Sequence, residues 1–297
     1  MRVALGLEYD GSGFRGWQIQ SGARSVQACV ESSLSRVADH GVRAVCAGRT
    51  DTGVHALSQV VHFDTVAMRD ERDWVFGGNT YLPSDVSILW ARRVPDDFHA
   101  RYSATARVYR YVILNRPARP GLFASRVTWE YRPLCETLMR EAACYLLGEH
   151  DFSAFRAQGC QAGHAVRTIH RLEVDREEDR VSIEIEANAF LYHMVRNIAG
   201  VLMAIGRGIA APVWARQVLE ARRRAQAGVT APPSGLYLTA VRYPPARGIP
   251  GPGATATEPQ QRAGDEDAPE NAQDDAVRAL AARAVLDMDR YLRSAQP

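Results

Sequence analysis

Arg49, Asp51 and His55 stand within one short polar run, Cys46-Ala-Gly-Arg-Thr-Asp-Thr-Gly-Val-His-Ala56. Asp51 follows a hydroxyl and comes two residues before Gly53, so it reads as a carboxylate on a tight turn with a guanidinium close by. Such a carboxylate has two chemistries open to it, attack on an electrophilic carbon and removal of a proton. The plainer account is a turn-capping side chain, which is common for aspartate in loops. The other reactive types show no competing pattern. The 5 cysteines include no Cys-x-x-Cys pair, and the 8 histidines show no metal-ligand spacing. No metal is expected.

The run joins two segments with strand character. Val42–Cys46 alternates, and Gln59–Thr65 is β-branched and aromatic-rich. A hairpin needs only about two to five residues between strands. A longer polar connection on a rigid scaffold is where functional groups are usually displayed. Upstream, Val3, Leu5, Leu7 and Tyr9 alternate as a first strand, and Val26, Val30, Leu34 and Val37 recur at helical spacing behind Ser25, a natural N-cap. A helix over 70–80 and a strand over 86–94 complete the first half.

The second half repeats this order. Strands are predicted at 107–114, 168–175, 181–187 and 236–243. Helices are predicted from Leu134 to Gly148, along the stripe Leu191, Met194, Val195, Ile198, Leu202 and Ile205, and over 212–224. The fold class is therefore α+β. Two ferredoxin-like β-α-β-β-α-β halves form a mainly antiparallel sheet with helices on one face and a cleft between the halves. The expected division is 1–104, 105–245 and a low-complexity tail, 246–297, with an amphipathic pattern over 274–293.

Composition narrows the setting. The chain has 297 residues, 46% of them hydrophobic, and no apolar run approaches the roughly 18 residues of a membrane span. No signal peptide is read at the start, and the thiols suit a reducing cytoplasm. Net charge is only +2, but residues 1–245 hold 30 Arg against 25 acids, and residues 246–297 hold 6 against 9. All 36 basic residues are Arg, the side chain suited to bidentate phosphate contact and base stacking. A biased genome composition accounts for the same excess, so it permits a polyanionic partner without requiring one.

Further segments join Ala47-Gly-Arg-Thr-Asp-Thr-Gly-Val-His55. They are Glu8-Tyr-Asp-Gly11, Gly16-Trp-Gln18, Pro95-Asp-Asp-Phe-His-Ala-Arg101, Arg107-Val-Tyr-Arg-Tyr111, Asp151-Phe-Ser-Ala-Phe-Arg156, Ala187-Asn-Ala-Phe-Leu-Tyr-His-Met-Val-Arg-Asn197 and Gly235-Leu-Tyr-Leu238. Together they resemble the tRNA pseudouridine synthase A family, from about residue 2 to about residue 244. The chain departs from the family pattern at Thr52, in Gly163–Arg167 and in the tail.

The resemblance implies the pseudouridine synthase fold and an isomerase that converts uridine to pseudouridine at positions 38, 39 and 40 of the tRNA anticodon stem-loop. It implies a homodimer and no cofactor. Asp51 is then the catalytic carboxylate, and Arg49, at different stages, pairs with it and fills the space left by an extruded nucleotide. Tyr109 stacks on the uracil, Arg196 is a second cation near Asp51, and Leu236 packs under the base. Without the resemblance, Tyr109 and Leu236 are strand core residues and Arg196 is a phosphate contact or a surface charge. Tyr111 is expected in the core, and His55 and His99 are expected to be structural or RNA-contacting. Arg15, Arg24, Arg156, Arg167 and Arg222 to Arg224 are candidate phosphate contacts. The alternative is a catalytically silent tRNA-binding protein on the same scaffold.

Overall fold

The structure, a computed structural model, describes residues 1–254. The pattern over 274–293 lies outside the described residues.

The first half runs β1 (Arg2–Tyr9), α1 (Val26–Ala38), β2 (Val45–Cys46), β3 (His55–Asp64), α2 (Glu71–Tyr81) and β4 (Val86–Val94). The second half runs β5 (Ala106–Leu114), β6 (Thr128–Trp129), α3 (Glu136–Cys144), β7 (Gly148–Asp151), β8 (Val166–Glu177), β9 (Arg180–Ala187), α4 (Met194–Gly206), α5 (Trp214–Ala221) and β10 (Leu236–Arg242).

All the strands among the described residues belong to one sheet in the order β4-β1-β3-β10-β5-β9-β8-β7, with β2 paired to β3 and β6 to β5. Pairing is antiparallel except for β3 with β10 and β5 with β6. Each half has the strand order of a ferredoxin-like unit: β4-β1-β3-β2 in the first, β10-β5-β9-β8 in the second. The expected α+β class and repeated unit are therefore present. β6 and β7 are additions that the hydrophobic pattern did not signal.

The halves meet where β10 pairs with the start of β3, Tyr237 with His55 and Leu238 with Ala56. The other end of the same β3 edge pairs with β2, Val45 with His62 and Cys46 with Val61. β2 and β10 thus fork apart along one edge, and residues 47–54 leave the sheet in that fork.

Two boundaries differ from the pattern for local reasons. Val42 and Ala44 are not in a strand because side chains of α1 take their N–H groups: Val42 N donates to Ser35 Oγ at 2.9 Å and Ala44 N to Glu31 Oε1 at 2.9 Å. β3 begins earlier than its apolar run because its first two residues pair across the molecule.

One hydrophobic core spans both halves, from Val3, Leu5 and Leu7 through Tyr111 and Ile113 to Val201 and Leu202. Gly78 lets α2 approach both neighbours. A Cβ there would lie 2.3 Å from Ile88 Cδ1, and Gly78 O accepts Ser33 Oγ of α1 at 2.7 Å. Across the sheet from Tyr109, Arg110 of β5 pairs with Glu184 of β9, which also accepts from Arg171 of β8.

Candidate active site

The loop at 47–54 is held by the backbone around it. Ala47 N donates to Val60 O at 2.8 Å, and the buried Gln59 amide donates to Gly48 O at 2.6 Å. Thr50 is buried, its Oγ1 2.8 Å from the Tyr9 hydroxyl, and its carbonyl accepts Trp17 N at 3.0 Å. Val54 N donates to Asp51 O at 3.1 Å and closes a turn that Gly53 permits with φ +75°. Gly16, at φ +88°, brings the 14–17 segment against that turn, where a Cβ would fall 2.6 Å from Thr50 O. Each of these contacts gives a loop polar group a partner. Asp51 therefore sits on a fixed backbone.

The second half approaches from the other side. Asp51 Oδ2 lies 3.7 Å from Arg196 Nη1 and 3.4 Å from His193 Nε2, and the Asp51 side chain keeps 21% exposure. Burial pushes the Asp51 carboxyl above its ordinary value, and the Arg196 guanidinium pulls it back down. Arg196 is itself anchored: Nε donates to Ala231 O at 2.8 Å, and Arg196 O accepts Ala231 N at 3.1 Å. Burial, with the charges of Arg196 and Arg224, lowers His193 to about 4, so it is neutral near pH 7.

Tyr109 is buried on β5, with Phe190 edge-on at 5.1 Å between ring centres. Burial first, then the negative charge of Asp51, raises its phenol well above the usual range. Its hydroxyl faces Gly48, where a Cβ would stand 3.6 Å away. Leu236 and Leu238 of β10 lie opposite Tyr111 and Tyr109, and both are buried. Tyr111 is in the core, as expected, its hydroxyl 2.6 Å from Thr128 Oγ1 and donating to Pro232 O at 2.9 Å.

Arg49 stands apart from Asp51. It is exposed, and its Nη1 donates to Gln161 Oε1 at 3.3 Å. Among the described residues, the cationic side chain near Asp51 is Arg196 of the other half. The fork between β2 and β10 turns the loop toward α4, so two residues of sequence separation do not make Arg49 the partner.

His55 is structural. Nδ1 accepts Gly11 N at 3.1 Å, Nε2 lies 3.1 Å from Ser125 O, and the ring stacks on Tyr237 at 4.6 Å. His99 packs between His62 at 4.7 Å and Tyr102 at 4.3 Å.

Several of the arginines expected to meet phosphate donate to groups of the protein, among them Arg156, whose Nη2 donates to Cys160 O at 2.8 Å. Arg24 forms a two-toothed pair with Asp85 at 2.7 Å. Arg167 is buried and donates to Val166 O at 2.6 Å. Arg224 donates to Asn197 Oδ1 at 3.0 Å and Thr230 Oγ1 at 2.6 Å.

Sequence reasoning missed two residues. Buried Arg107 donates only to carbonyls, among them Ala47 O at 3.1 Å and Asn188 O at 3.0 Å, and so ties the loop to the second half. Its one signal was its place at the head of the segment Arg107-Val-Tyr-Arg-Tyr111, which did not reveal its role. His193 had a signal, since it stands three residues before Arg196 and shares a helix face with it if the helix extends that far.

The chain is similar to known proteins over most of its length. The pattern of the family described as tRNA pseudouridine synthase matches residues 7–103 and 142–244. A protein of Nitrosococcus oceani named tRNA pseudouridine synthase A is 62% identical over 82% of this chain and 94% of its own length. One of the same name from Methylococcus capsulatus is 60% identical over 84% of this chain and 92% of its own. Among solved structures, an H/ACA RNP bound to a substrate RNA containing 2'-deoxyuridine covers 68% of this chain and 44% of its own, with 11% identity and a TM-score of 0.32.

Proposed function

The chain belongs to the tRNA pseudouridine synthase family, and from that premise we propose that it isomerises uridine to pseudouridine at positions 38, 39 and 40 of the anticodon stem-loop, with Asp51 as the reacting carboxylate. The observation that carries this reading is the placement of Asp51. It is partly exposed on a rigid turn, with one anchored cation from the opposite half and a buried tyrosine nearby.

The isomerisation breaks the N1–C1′ bond of uridine, turns the base, joins C5 to C1′, releases the C5 proton and leaves N1 protonated. Attack of Asp51 on C1′ and removal of the 2′ proton both require the ionised carboxylate. Burial opposes that charge and Arg196 offsets part of the opposition. The uracil ring accepts the leaving charge, so the chemistry calls on no cofactor.

Tyr109 stacks on the uracil, and Leu236 closes the apolar floor beneath it. A base must leave its stack to reach such a site, and exposed Arg49 fills the vacated space. The family resemblance further supports a homodimer, and the five free thiols support a cytoplasmic setting. We keep a division into halves near residue 105.

The test is pseudouridine mapping on a tRNA transcript. Asp51→Ala should abolish the product while tRNA affinity stays within about tenfold, roughly 1.4 kcal/mol. Retained turnover would remove Asp51 from the chemistry, and product at other positions would overturn the assignment of 38, 39 and 40.

A further inference from the structure

The residue that starts α4 has an unusual backbone. His193 is the N-cap, with φ +59° and ψ 9°, a left-handed conformation in a residue that is not glycine. It makes no capping hydrogen bond through its side chain. The strain instead delivers the imidazole to a specific place. Nε2 stands 3.4 Å from Asp51 Oδ2 and 3.2 Å from Arg196 Nη1, and Tyr192 lies against the ring at 4.0 Å between centres. Backbone strain of this kind persists where the surrounding structure over-determines it, and it clusters at functional sites.

We propose that His193 is a positioning residue for the reaction: its imidazole, set by the left-handed N-cap, orients the Asp51 carboxylate against Arg196. This inference rests on Asp51 being the reacting carboxylate.

The chemistry of the three groups supports it. Arg196 only donates hydrogen bonds and ionised Asp51 only accepts them, whereas a neutral imidazole carries one donor and one acceptor nitrogen. With the proton on Nε2 the ring donates to Asp51; with the proton on Nδ1 it accepts from Arg196. In either tautomer Nε2 stands beside the pair, within 3.4 Å of Asp51 Oδ2 and 3.2 Å of Arg196 Nη1, and limits how Asp51 turns. It does so without a second positive charge, which would hold the carboxylate against the protein and away from the sugar. Burial and the two flanking guanidiniums, Arg196 and Arg224, keep the ring neutral. Arg196 is independently anchored by Ala231, so the group left to orient is Asp51.

Two substitutions separate the side chain from the backbone. Asn tolerates the left-handed conformation but stops short of the Nε2 position. Gln reaches it with a neutral amide that both donates and accepts. In single turnover, His193→Asn should slow pseudouridine formation about tenfold to a hundredfold, with tRNA affinity unchanged within about twofold. His193→Gln should recover most of that rate. A wild-type rate in His193→Asn overturns the proposal, as does equal impairment of the two variants or a loss of tRNA affinity that matches the loss of rate. Asp51→Asn, assayed beside them, separates the two readings. An active Asp51→Asn overturns both, while an inactive Asp51→Asn with wild-type His193→Asn overturns this one alone.

Discussion

Two opposing effects set the charge on Asp51. Taking a carboxylate partly out of water favours the acid, and a guanidinium 3.7 Å away favours the anion. Burial is the larger effect, so the group sits above its ordinary value. His193 contributes no compensating charge because it is itself held neutral. If the ionised form reacts, the rate falls on the acid side as Asp51 takes up a proton, and the fall is centred above the ordinary value for an aspartate. Removing the cation removes what favours the anion, so the midpoint must rise. Arg196→Met, which keeps the apolar stem, should therefore move the acid limb of the single-turnover rate to higher pH. An unmoved limb would show that another group titrates there. At this scale the motif around Asp51 was legible because turn chemistry and family pattern coincide in one short run. The resemblance pointed to Arg196 as well as Arg49; spacing along the chain favoured Arg49, whereas in space the ion pair with Asp51 is made by Arg196.

α4 depends on a close approach along its side. Gly200 faces the 229–231 segment, and a Cβ there would lie 2.0 Å from Val229 O. That segment supplies Ala231 O, which anchors Arg196. In an exposed helix, glycine to alanine would gain about 1 kcal/mol from propensity. Here the methyl group meets backbone, and overpacking costs about 1–3 kcal/mol. Gly200→Ala should lower the denaturation midpoint and also slow single turnover, because the segment that holds Arg196 must move. A stabilised and fully active variant would show that this segment yields freely. Helical stripes and alternating strands were readable in α1, α4, β1 and β9 because their large apolar side chains recur at the element's period, although α4 and the middle of β1 are buried on both faces. The short β2 was overread because Glu31 and Ser35, one turn apart on α1, reach the backbone at Val42 and Ala44. No periodicity reports such a capture.

Among the described residues, the eight strands of two repeated units, with β6 and β7 added, form one sheet, joined by two residue pairs between β3 and β10. The join sits beside the loop that carries Asp51, so the site and the contact between halves are parts of one arrangement. The family match ends at residue 244. Just beyond it Arg247 pairs with Asp97 at 2.8 Å and holds the chain against the body. Deleting residues 255–297 should leave single-turnover rate and tRNA affinity unchanged within about twofold, less than 0.5 kcal/mol. Loss of tRNA affinity in a folded truncation would assign the tail a part in binding.

By itself, the sequence determined the repeated βαββαβ order, the loop that bears Asp51 and the core tyrosine on β5. Each of these follows from neighbours along the chain, through side-chain period, turn residues or a local motif. The resemblance suggested Arg196 near Asp51; only the tertiary structure decided that His193 joins them while Arg49 makes no ion pair there, that Arg107 ties the loop across the halves, and that Arg24, Arg167 and Arg224 donate to groups of the protein. An arginine's role depends on which acceptor lies within about 3 Å, and that acceptor is chosen by strands that meet from distant parts of the chain.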